Sequence, residues 1–465
     1  MFKLTNTLTG TQEEFSPLDD SGVRMYSCGP TVHDFVHIGN FRTFVFQDVL
    51  RRHVKSKGWA LRQVMNITDV DDKIIRKALA EGVDIQTYTE KYTTSFLEDS
   101  DKLGIERPEV IARATEHVPE MVALVKRLLD QGHAYREGDS IYFRISSFAD
   151  YGRLARLDKS QLKVGARVEV DEYEKESPQD FVLWKAPKEE DEPSWDTEIG
   201  VGRPGWHLEC SAMAMKYLGE SFDLHCGGID LIFPHHENEI AQSQAATGAP
   251  FVRFWVHGEF LKVEGEKMAK STGNFYRLRD LLDKGFDPLA IRYLLVSVPY
   301  RKQLNFTFDG LHQASQSLGR IQAFLFRLKE MSIGPGESAR LVEALNTART
   351  QFESGLDDDL NTAQALAAVF DLIRACNTAL DAGELLEDNR AAIGTWFVEV
   401  DRRLGIVPPA EESPDLDQEI EALIAQRTKA RADRDFARAD QVRQQLTDMN
   451  VIIEDTREGT RWRRK

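Results

Sequence analysis

The pattern of apolar and polar residues divides the chain into elements before any motif is considered. Val23–Ser27 is a short apolar, β-prone run that stops at Cys28-Gly29-Pro30 and predicts a strand. Residues 40–55 follow, with Phe41, Phe44, Val45, Val49 and Leu50 at helical spacing. Leu61–Ile67 predicts a second strand. Strand, glycine-bearing turn, helix and strand make the start of a βαβ unit, so a parallel sheet is expected. An amphipathic helix is predicted over Ala112–Gln131, short strands with turns over Arg136–Val170, and an acidic, proline-bearing loop over Lys188–Trp195. Strand and helix alternate again between Gly205 and Gln244, and the pattern is helical from Phe306 to about Gly405. Pro408-Pro409 with Glu411, Glu412, Pro414 and Asp415 reads as a linker. Beyond it, Ile420–Asp448 predicts a charged helix or helix pair, and Val451–Ile453 and Thr460–Trp462 two short strands.

Composition narrows the class. At 465 residues the chain is too long for one core, and two to four domains are expected. No apolar stretch approaches the roughly 20 residues that span a bilayer, and Met1–Thr7 lacks the apolar core of a signal peptide. A cytoplasmic protein without membrane attachment is the expectation. Four cysteines, Cys28, Cys210, Cys226 and Cys376, make no disulfide framework and are left as metal ligands or core residues. The net charge of −17 argues against general nucleic-acid binding, yet residues 421–465 carry 11 Lys+Arg against 8 Asp+Glu. A basic end on an acidic body permits RNA contact at selected places, and a solvated basic helix is the plainer alternative.

Two segments suit a nucleotide. In Gly29-Pro30-Thr31-Val32-His33-Asp34-Phe35-Val36-His37-Ile38-Gly39-Asn40, two histidines four apart precede a helix N-terminus, which presents unpaired N–H groups to phosphate. Gly39 admits close approach to the backbone. Turn histidines can equally be structural. Far downstream, Glu266-Lys267-Met268-Ala269-Lys270-Ser271-Thr272-Gly273-Asn274 sets two lysines three apart in a glycine-flanked loop, a cationic clamp or an exposed turn. Together the segments resemble the HIGH and KMSKS signatures of class I aminoacyl-tRNA synthetases, here HIGN and KMAKS. Asn40 replaces a histidine but keeps a neutral donor. Ala269 loses a hydroxyl while both lysines stay. The resemblance implies that His37, Gly39, Asn40, Lys267 and Lys270 serve Mg-ATP.

A third block runs from Gly205 to Gln244. Proline favours the first turn of a helix, so one is expected to begin near Pro234, which puts His235 and Glu239 on one face. With thiolates from elsewhere this could make a tetrahedral Cys₂HisGlu set. The spacing is not that of a zinc finger, and on spacing alone metal binding stays open. The block resembles the cysteinyl-tRNA synthetase subfamily, in which Cys28, Cys210, His235 and Glu239 match the zinc ligands. Cys226 stands where that family has glycine, as a decoy ligand or a packed thiol. Zinc prefers a soft thiolate, which would separate cysteine from serine without editing. Asp230 is then a candidate for the substrate ammonium, Trp206 for packing over the sulfur, and Thr68 for the pocket wall. Asp69, Asp71 and Asp72 read as a turn with helix-capping aspartates. The run Asp357–Thr362 likewise reads as a helix cap.

The resemblance extends from about residue 20 to Lys465. It implies an α/β fold: a Rossmann-like doubly wound catalytic domain over residues 1–305, with an insertion at about 75–205 and a lysine loop at about 260–280. A helical bundle over 306–407 and a small mixed α/β anticodon-binding domain over 408–465 complete it. Within that last module, Arg431, Asp440 and Asp455 are the expected base contacts. The tail Gly459–Lys465 joins Trp462 to four basic residues suited to stacking and phosphate contact. The implied partners are L-cysteine, ATP with Mg²⁺, zinc and tRNA(Cys), and a monomer is expected. A cysteine:amino-sugar ligase would not need the basic tail, and a noncatalytic RNA-binding paralogue would not need intact lysines and zinc ligands.

Overall fold

The computed structural model describes residues 1–157, 180–189, 192–268, 273–408, 414–449, 451–456 and 459–464. It begins with a hairpin, β1 (Lys3–Asn6) and β2 (Thr11–Glu14), followed by β3 (Val23–Ser27), α1 (Ile38–Ser56) and β4 (Leu61–Ile67). The strand bounds fall where the apolar runs end, and β3 pairs in parallel with β4 as the βαβ pattern requires. Next come α2 (Asp72–Glu81), α3 (Ile85–Lys102), β5 (Val110–Arg113) and α4 (Val118–Asp130). The helix expected from Ala112 therefore starts at Val118. Val110-Ile111-Ala112-Arg113 pairs with β4 instead, because a β-branched run beside an open strand edge gains a ladder.

The inserted segment supplies β6 (Ala134–Glu137), β7 (Ser140–Phe143), β8 (Phe181–Lys185) and β9 (Arg203–Pro204) as an antiparallel sheet. Strands expected between 158 and 170 lie outside the described residues. The main sheet resumes through α5 (Trp206–Leu218), β10 (Phe222–Gly228), α6 (Glu237–Thr247) and β11 (Val252–Gly258). Its strand order is β11-β10-β3-β4-β5, all parallel. The order reverses between β3 and β10, and the C-terminal strand ends there open the crevice in which such sheets bind ligands. Tyr26, Val64, Met213, Phe222 and Trp255 are buried in one core of this unit, and Met25, Leu50, Leu224 and Val256 in another. After it come β12 (Leu261–Val263), β13 (Glu266–Lys267), α7 (Leu278–Leu282), α8 (Pro288–Val296) and β14 (Leu304–Phe306).

α1 is anchored by charge as well as by apolar packing. The buried Arg42 guanidinium donates to the carbonyls of Leu295, Val298, Pro299 and Lys302, which lie at the end of α8 and just beyond it. Buried Asp48 accepts from Arg52 and Arg292. A buried charge left unpaired is costly, so these contacts fix the helix whose first turn carries HIGN.

The remaining helices are α9 (Phe308–Glu330), α10 (Ala339–Asp357), α11 (Thr362–Ala382), α12 (Glu387–Leu404), α13 (Pro414–Ala432) and α14 (Phe436–Asp448), with a final hairpin of β15 (Val451–Thr456) and β16 (Gly459–Arg464). Contacts divide the chain into two compact units, residues 1–311, 348–369 and 402–404, and residues 312–347, 370–401 and 405–465. Pro414 does not extend the linker but opens α13, where its missing N–H costs nothing. Within the second unit, α13, α14 and the hairpin close a small core of Ile420, Ile424, Val442, Leu446 and Val451.

Candidate active site and metal centre

At the nucleotide end, the two signature segments meet. His37 caps α1, its Nδ1 accepting from Asn40 N at 3.2 Å, which directs the ring proton to Nε2. Ile38 N donates to Tyr276 O, and the His37 ring lies edge-on to Phe275 at 5.2 Å. A Cβ on Gly39 would stand 2.9 Å from Met268 Cε and from the His37 ring, so a side chain here would have to displace the Met268 tip and crowd the imidazole. Asn40 is exposed. Lys267 ends β13 beside β12, and Asn274 Nδ2 donates to its carbonyl at 3.2 Å. Lys270 lies outside the described residues.

Across the sheet lies a buried polar cluster. One ligand atom from each of Cys28, Cys210, His235 and Glu239 falls within 4.8 Å of the others. Cys28 follows β3 and Cys210 sits one turn into α5, while His235 lies in the short helical turn Ile232–His236 and Glu239 in the first turn of α6, which starts at Glu237 and not near Pro234 as expected. A second set, Cys28, His225, His236 and Glu239, meets the same limit.

Burial would raise Glu239, but His225 and His235 hold its carboxyl down at about 2. Burial would lower His235, but the Cys210 thiol and Glu239 hold it up at about 10. Burial raises Cys210 too, and its hydrogen bonds with Cys28 and His235 bring it down to about 6. Burial and the neighbouring Cys210 push the Cys28 thiol well up. The cluster thus concentrates negative charge around one imidazolium. Glu239 Oε1 lies 3.1 Å from His235 Nε2 without hydrogen-bond alignment, a buried orphan acceptor. Two sulfurs, an imidazole and a carboxylate are a donor set for a divalent soft-to-borderline metal, which on binding would displace the protons that Cys28 and His235 hold without it.

The neighbouring groups orient these side chains. His225 Nε2 lies 3.0 Å from Glu239 Oε2, and His236 Nε2 3.3 Å from Cys28 Sγ. His236 Nδ1 reaches His257 Nε2 at 2.7 Å, and His257 Nδ1 reaches Thr7 Oγ1 at 2.7 Å. Trp206, 40% exposed, stacks on His235 with centroids 4.2 Å apart and forms a lid at the edge of the cluster. Buried Thr68 accepts from Asn66 Nδ2 and donates to Glu209 Oε2 at 2.9 Å. Burial pushes the Asp230 carboxyl up, and His235 and Lys267 counter only part of that rise. Cys226 is buried in the apolar core with Met25, Phe46 and Val256 and belongs to neither ligand set.

The aspartates resolve individually. Asp71 caps α2, Asp69 accepts from Thr115, and Asp72 pairs with Lys185 and Arg203. In the Asp357–Thr362 run it is Asn361 that accepts from Gln364 N, while Asp357 pairs with His53 and Lys57.

In the C-terminal module, Asp455 accepts from both ends of the Arg427 guanidinium at 2.8 Å and from Arg431 at 2.6 Å. Arg431 and Asp455 thus meet each other, and Asp440 lies on α14, exposed. Trp462 is not the open stacking platform expected from the tail. Its Nε1 donates to Glu421 at 2.6 Å and its ring packs on the small core, since an indole gains more from that apolar surface than from water. No helix among the described residues is long and apolar enough to cross a membrane.

Sequence reasoning passed over Glu209 and the imidazoles of His207, His225, His236 and His257. Glu209 is fully buried, its carboxyl pushed well up by burial and by Cys210. The available signal was repetition: Trp206-His207, Leu224-His225, His235-His236 and Val256-His257 all fall near the ends or starts of elements that converge on one place.

The fold and the paired signature segments define a class I tRNA synthetase. Residues 14–316 match the family model described as "tRNA synthetases class I (C) catalytic domain", and residues 351–406 match a DALR domain. A Mycobacterium tuberculosis methionyl-tRNA synthetase in complex with methionyl-adenylate superposes with a TM-score of 0.60 at 16% identity, over 83% of this chain and 88% of that one, a likeness of fold. Residues 413–463 match the "Cysteinyl-tRNA ligase anticodon binding domain". The chain is 54% identical to a cysteine–tRNA ligase of Solibacter usitatus, over 99% of each chain. It is 48% identical to one of Koribacter versatilis, over 100% of this chain and 99% of that one. The chain belongs to the cysteine–tRNA ligase family.

Proposed function

We propose that this chain activates L-cysteine with Mg-ATP and transfers it to the terminal adenosine of tRNA(Cys), with a zinc ion held by Cys28, Cys210, His235 and Glu239. The observation that carries the reading is the convergence of those four buried ligand atoms within 4.8 Å of one another. His225 and His236 are better read as supports than as ligands. Each holds a member of the tetrad, and His236 is also engaged by His257. Bound there, zinc supplies a soft Lewis acid that prefers a thiolate to a hydroxyl, which selects cysteine over serine.

The protein's own residues do the rest. Trp206 covers the edge of the cluster where the substrate side chain would lie, and Asp230 takes the substrate ammonium. A carboxylate oxygen of cysteine attacks the α-phosphate of ATP, the bond to the bridging oxygen breaks, and pyrophosphate leaves. His37 and Asn40, at the N-terminus of α1, stabilise charge on the phosphate. Lys267 and Lys270 stabilise the departing pyrophosphate. A ribose hydroxyl of the terminal adenosine then attacks the carbonyl carbon, and AMP leaves. Positioning and electrostatics supply the rate, with no protein nucleophile. Arg431, Asp440 and Asp455 mark the surface that meets the anticodon, and a cytoplasmic monomer suits the free thiols.

The test is attachment of radiolabelled cysteine to a tRNA transcript with a GCA anticodon, in the presence of ATP and Mg²⁺. Charging that fails with serine and falls when the anticodon is altered is expected. Absence of charging in a preparation that contains zinc would overturn the proposal.

A further inference from the structure

Three side chains next to the metal-type cluster form a line that the proposed reaction does not use. Asn66 is the penultimate residue of β4, Thr68 follows that strand, and Glu209 lies in the first turn of α5, immediately before Cys210. The parallel ladder between β3 and β4 ends at the pair Ser27 and Met65. Beyond it, one residue past Cys28, the backbone N–H of Gly29 donates to the Asn66 side chain at 2.8 Å. A Cβ on Gly29 would lie 1.8 Å from the Asn66 carbonyl oxygen, so the strand ends come this close only without a side chain there. Asn66 Nδ2 lies 3.2 Å from Thr68 Oγ1, which lies 2.9 Å from Glu209 Oε2. The line therefore runs from the residue after one thiol ligand to the residue before the other.

Its direction is fixed from one end. A backbone N–H can only donate, so the Asn66 oxygen must face Gly29 and its NH₂ must face Thr68. The Thr68 hydroxyl accepts that bond and turns its own proton to Glu209. Each link thus has one arrangement, whereas an imidazole contact allows two tautomers. Asn66, Thr68 and Glu209 are all buried, at most 2% exposed, so water offers no substitute partner.

Glu209 is a poor choice for plain core packing. Its Oε1 is buried with no hydrogen-bond partner among the described residues, which is unfavourable, and an apolar side chain would fill the same space without it. What the carboxyl supplies is the acceptor that ends the line. Cys28 and Cys210 come from separate stretches of chain, and on the β10 side the Cys28 N–H is held by the Cys226 carbonyl at 3.0 Å. Two sulfurs that give up their protons to one ion repel each other, so their spacing calls for ties outside the cluster.

We infer that Asn66 and Glu209 are positioning residues of the metal centre, which through Thr68 hold Cys28 and Cys210 at a spacing that one ion can bridge. The inference rests on the zinc reading. It gives Thr68 a role in the ligand frame in addition to the pocket wall.

The test measures zinc affinity by chelator competition, and the thiolate-to-metal charge-transfer absorption of the cobalt(II)-loaded protein. Wild type is compared with Asn66→Leu, Glu209→Met, their double variant, and Glu209→Gln, whose amide oxygen can still accept from Thr68. Each break should weaken zinc binding ~10-fold, the low end for partners of metal ligands, and diminish the cobalt absorption. The double variant should also lose ~10-fold, where independent sites would lose ~100-fold, because both breaks interrupt one line. Glu209→Gln should stay within ~3-fold of wild type, since its oxygen keeps the line intact. Where an apolar variant fails to fold, Thr68→Ala interrupts the same line with a smaller change and should lose as much zinc. Wild-type affinity and cobalt absorption in the broken variants would overturn the inference. So would multiplying losses in the double variant, or a Glu209→Gln loss equal to that of Glu209→Met. Wild type that binds no zinc would instead defeat the reading on which the inference rests.

Discussion

The metal-type cluster and the C-terminal module both gather charged side chains, but they do so in opposite surroundings. Cys28, Cys210, His235 and Glu239 are buried in the first unit. Asp455, with Arg427 and Arg431, sits at the surface of a small module, its side chain 42% exposed. Burial makes polar groups explain themselves, because desolvated charge without a partner is expensive. In the first region Glu239 Oε1 is buried 3.1 Å from His235 Nε2 yet has no aligned hydrogen bond, so part of its accepting capacity is unused. In the second the arginines and the aspartate satisfy one another, and solvent screens the rest. Clustered polar side chains are therefore a strong sign of a ligand where they are buried and a weaker one where they pair with each other at the surface.

Four outcomes sharpen that contrast. The largest is expected for Glu239→Ala, which should lose stoichiometric zinc and at least ~100-fold in cysteine activation, since even partners of metal ligands are worth 10–100-fold. Metal analysis that finds normal zinc in a folded variant would remove Glu239 from the tetrad. Next, Lys267→Ala should lower kcat for pyrophosphate exchange ~100-fold with zinc retained, as for removal of one donor to a developing anion. A changed zinc content would show that the two ends of the site are not separable.

Asp455→Asn should act more weakly. It frees Arg427 and Arg431, so KM for tRNA should shift by only ~3–10-fold, an effect that fades in high salt as exposed ion pairs do, while cysteine activation is unchanged. An effect on exchange in the absence of tRNA would contradict it. The smallest effect is on pH dependence. Burial would raise Asp357, but His53 and Lys57 hold its carboxyl well below the usual range. A carboxyl lowered in the folded state adds stability above its unfolded value, near pH ~3.9, and loses it as pH falls toward the folded value. Asp357→Asn should therefore flatten the acid limb of the stability curve below pH ~4. An unchanged limb in urea titrations would show that another carboxylate dominates there.

Much of the catalytic half was legible in sequence, for physical reasons. β3 and β4 were readable because Val23, Met25 and Tyr26, and Val64, Met65 and Ile67, concentrate apolar and β-prone residues in short runs, and the structure buries them. The tetrad was readable because His235 and Glu239 lie one helical turn apart and the resemblance supplied the thiols. The error at Ala112 arose where an edge strand and a following helix share one apolar stretch, and only the open edge of β4 decides between them. Glu209 and the contacts from His236 through His257 to Thr7 could not be read, because long-range packing alone brings them together, although the recurring histidines hinted at convergence. Trp462 was misjudged for a related reason: a short sequence cannot tell an aromatic offered to RNA from one closing a five-residue core.

Thiolate selection by the buried tetrad is expected to separate cysteine from serine. Its most direct test is ATP–pyrophosphate exchange with each amino acid, measured on zinc-loaded wild type and on Glu239→Ala. Cysteine should exceed serine by several orders of magnitude in kcat/KM for the wild type, and the ratio should collapse in the variant chiefly through loss of cysteine. A ratio that survives in zinc-free protein would contradict it, and would place selection in the pocket walls around Trp206 and Thr68.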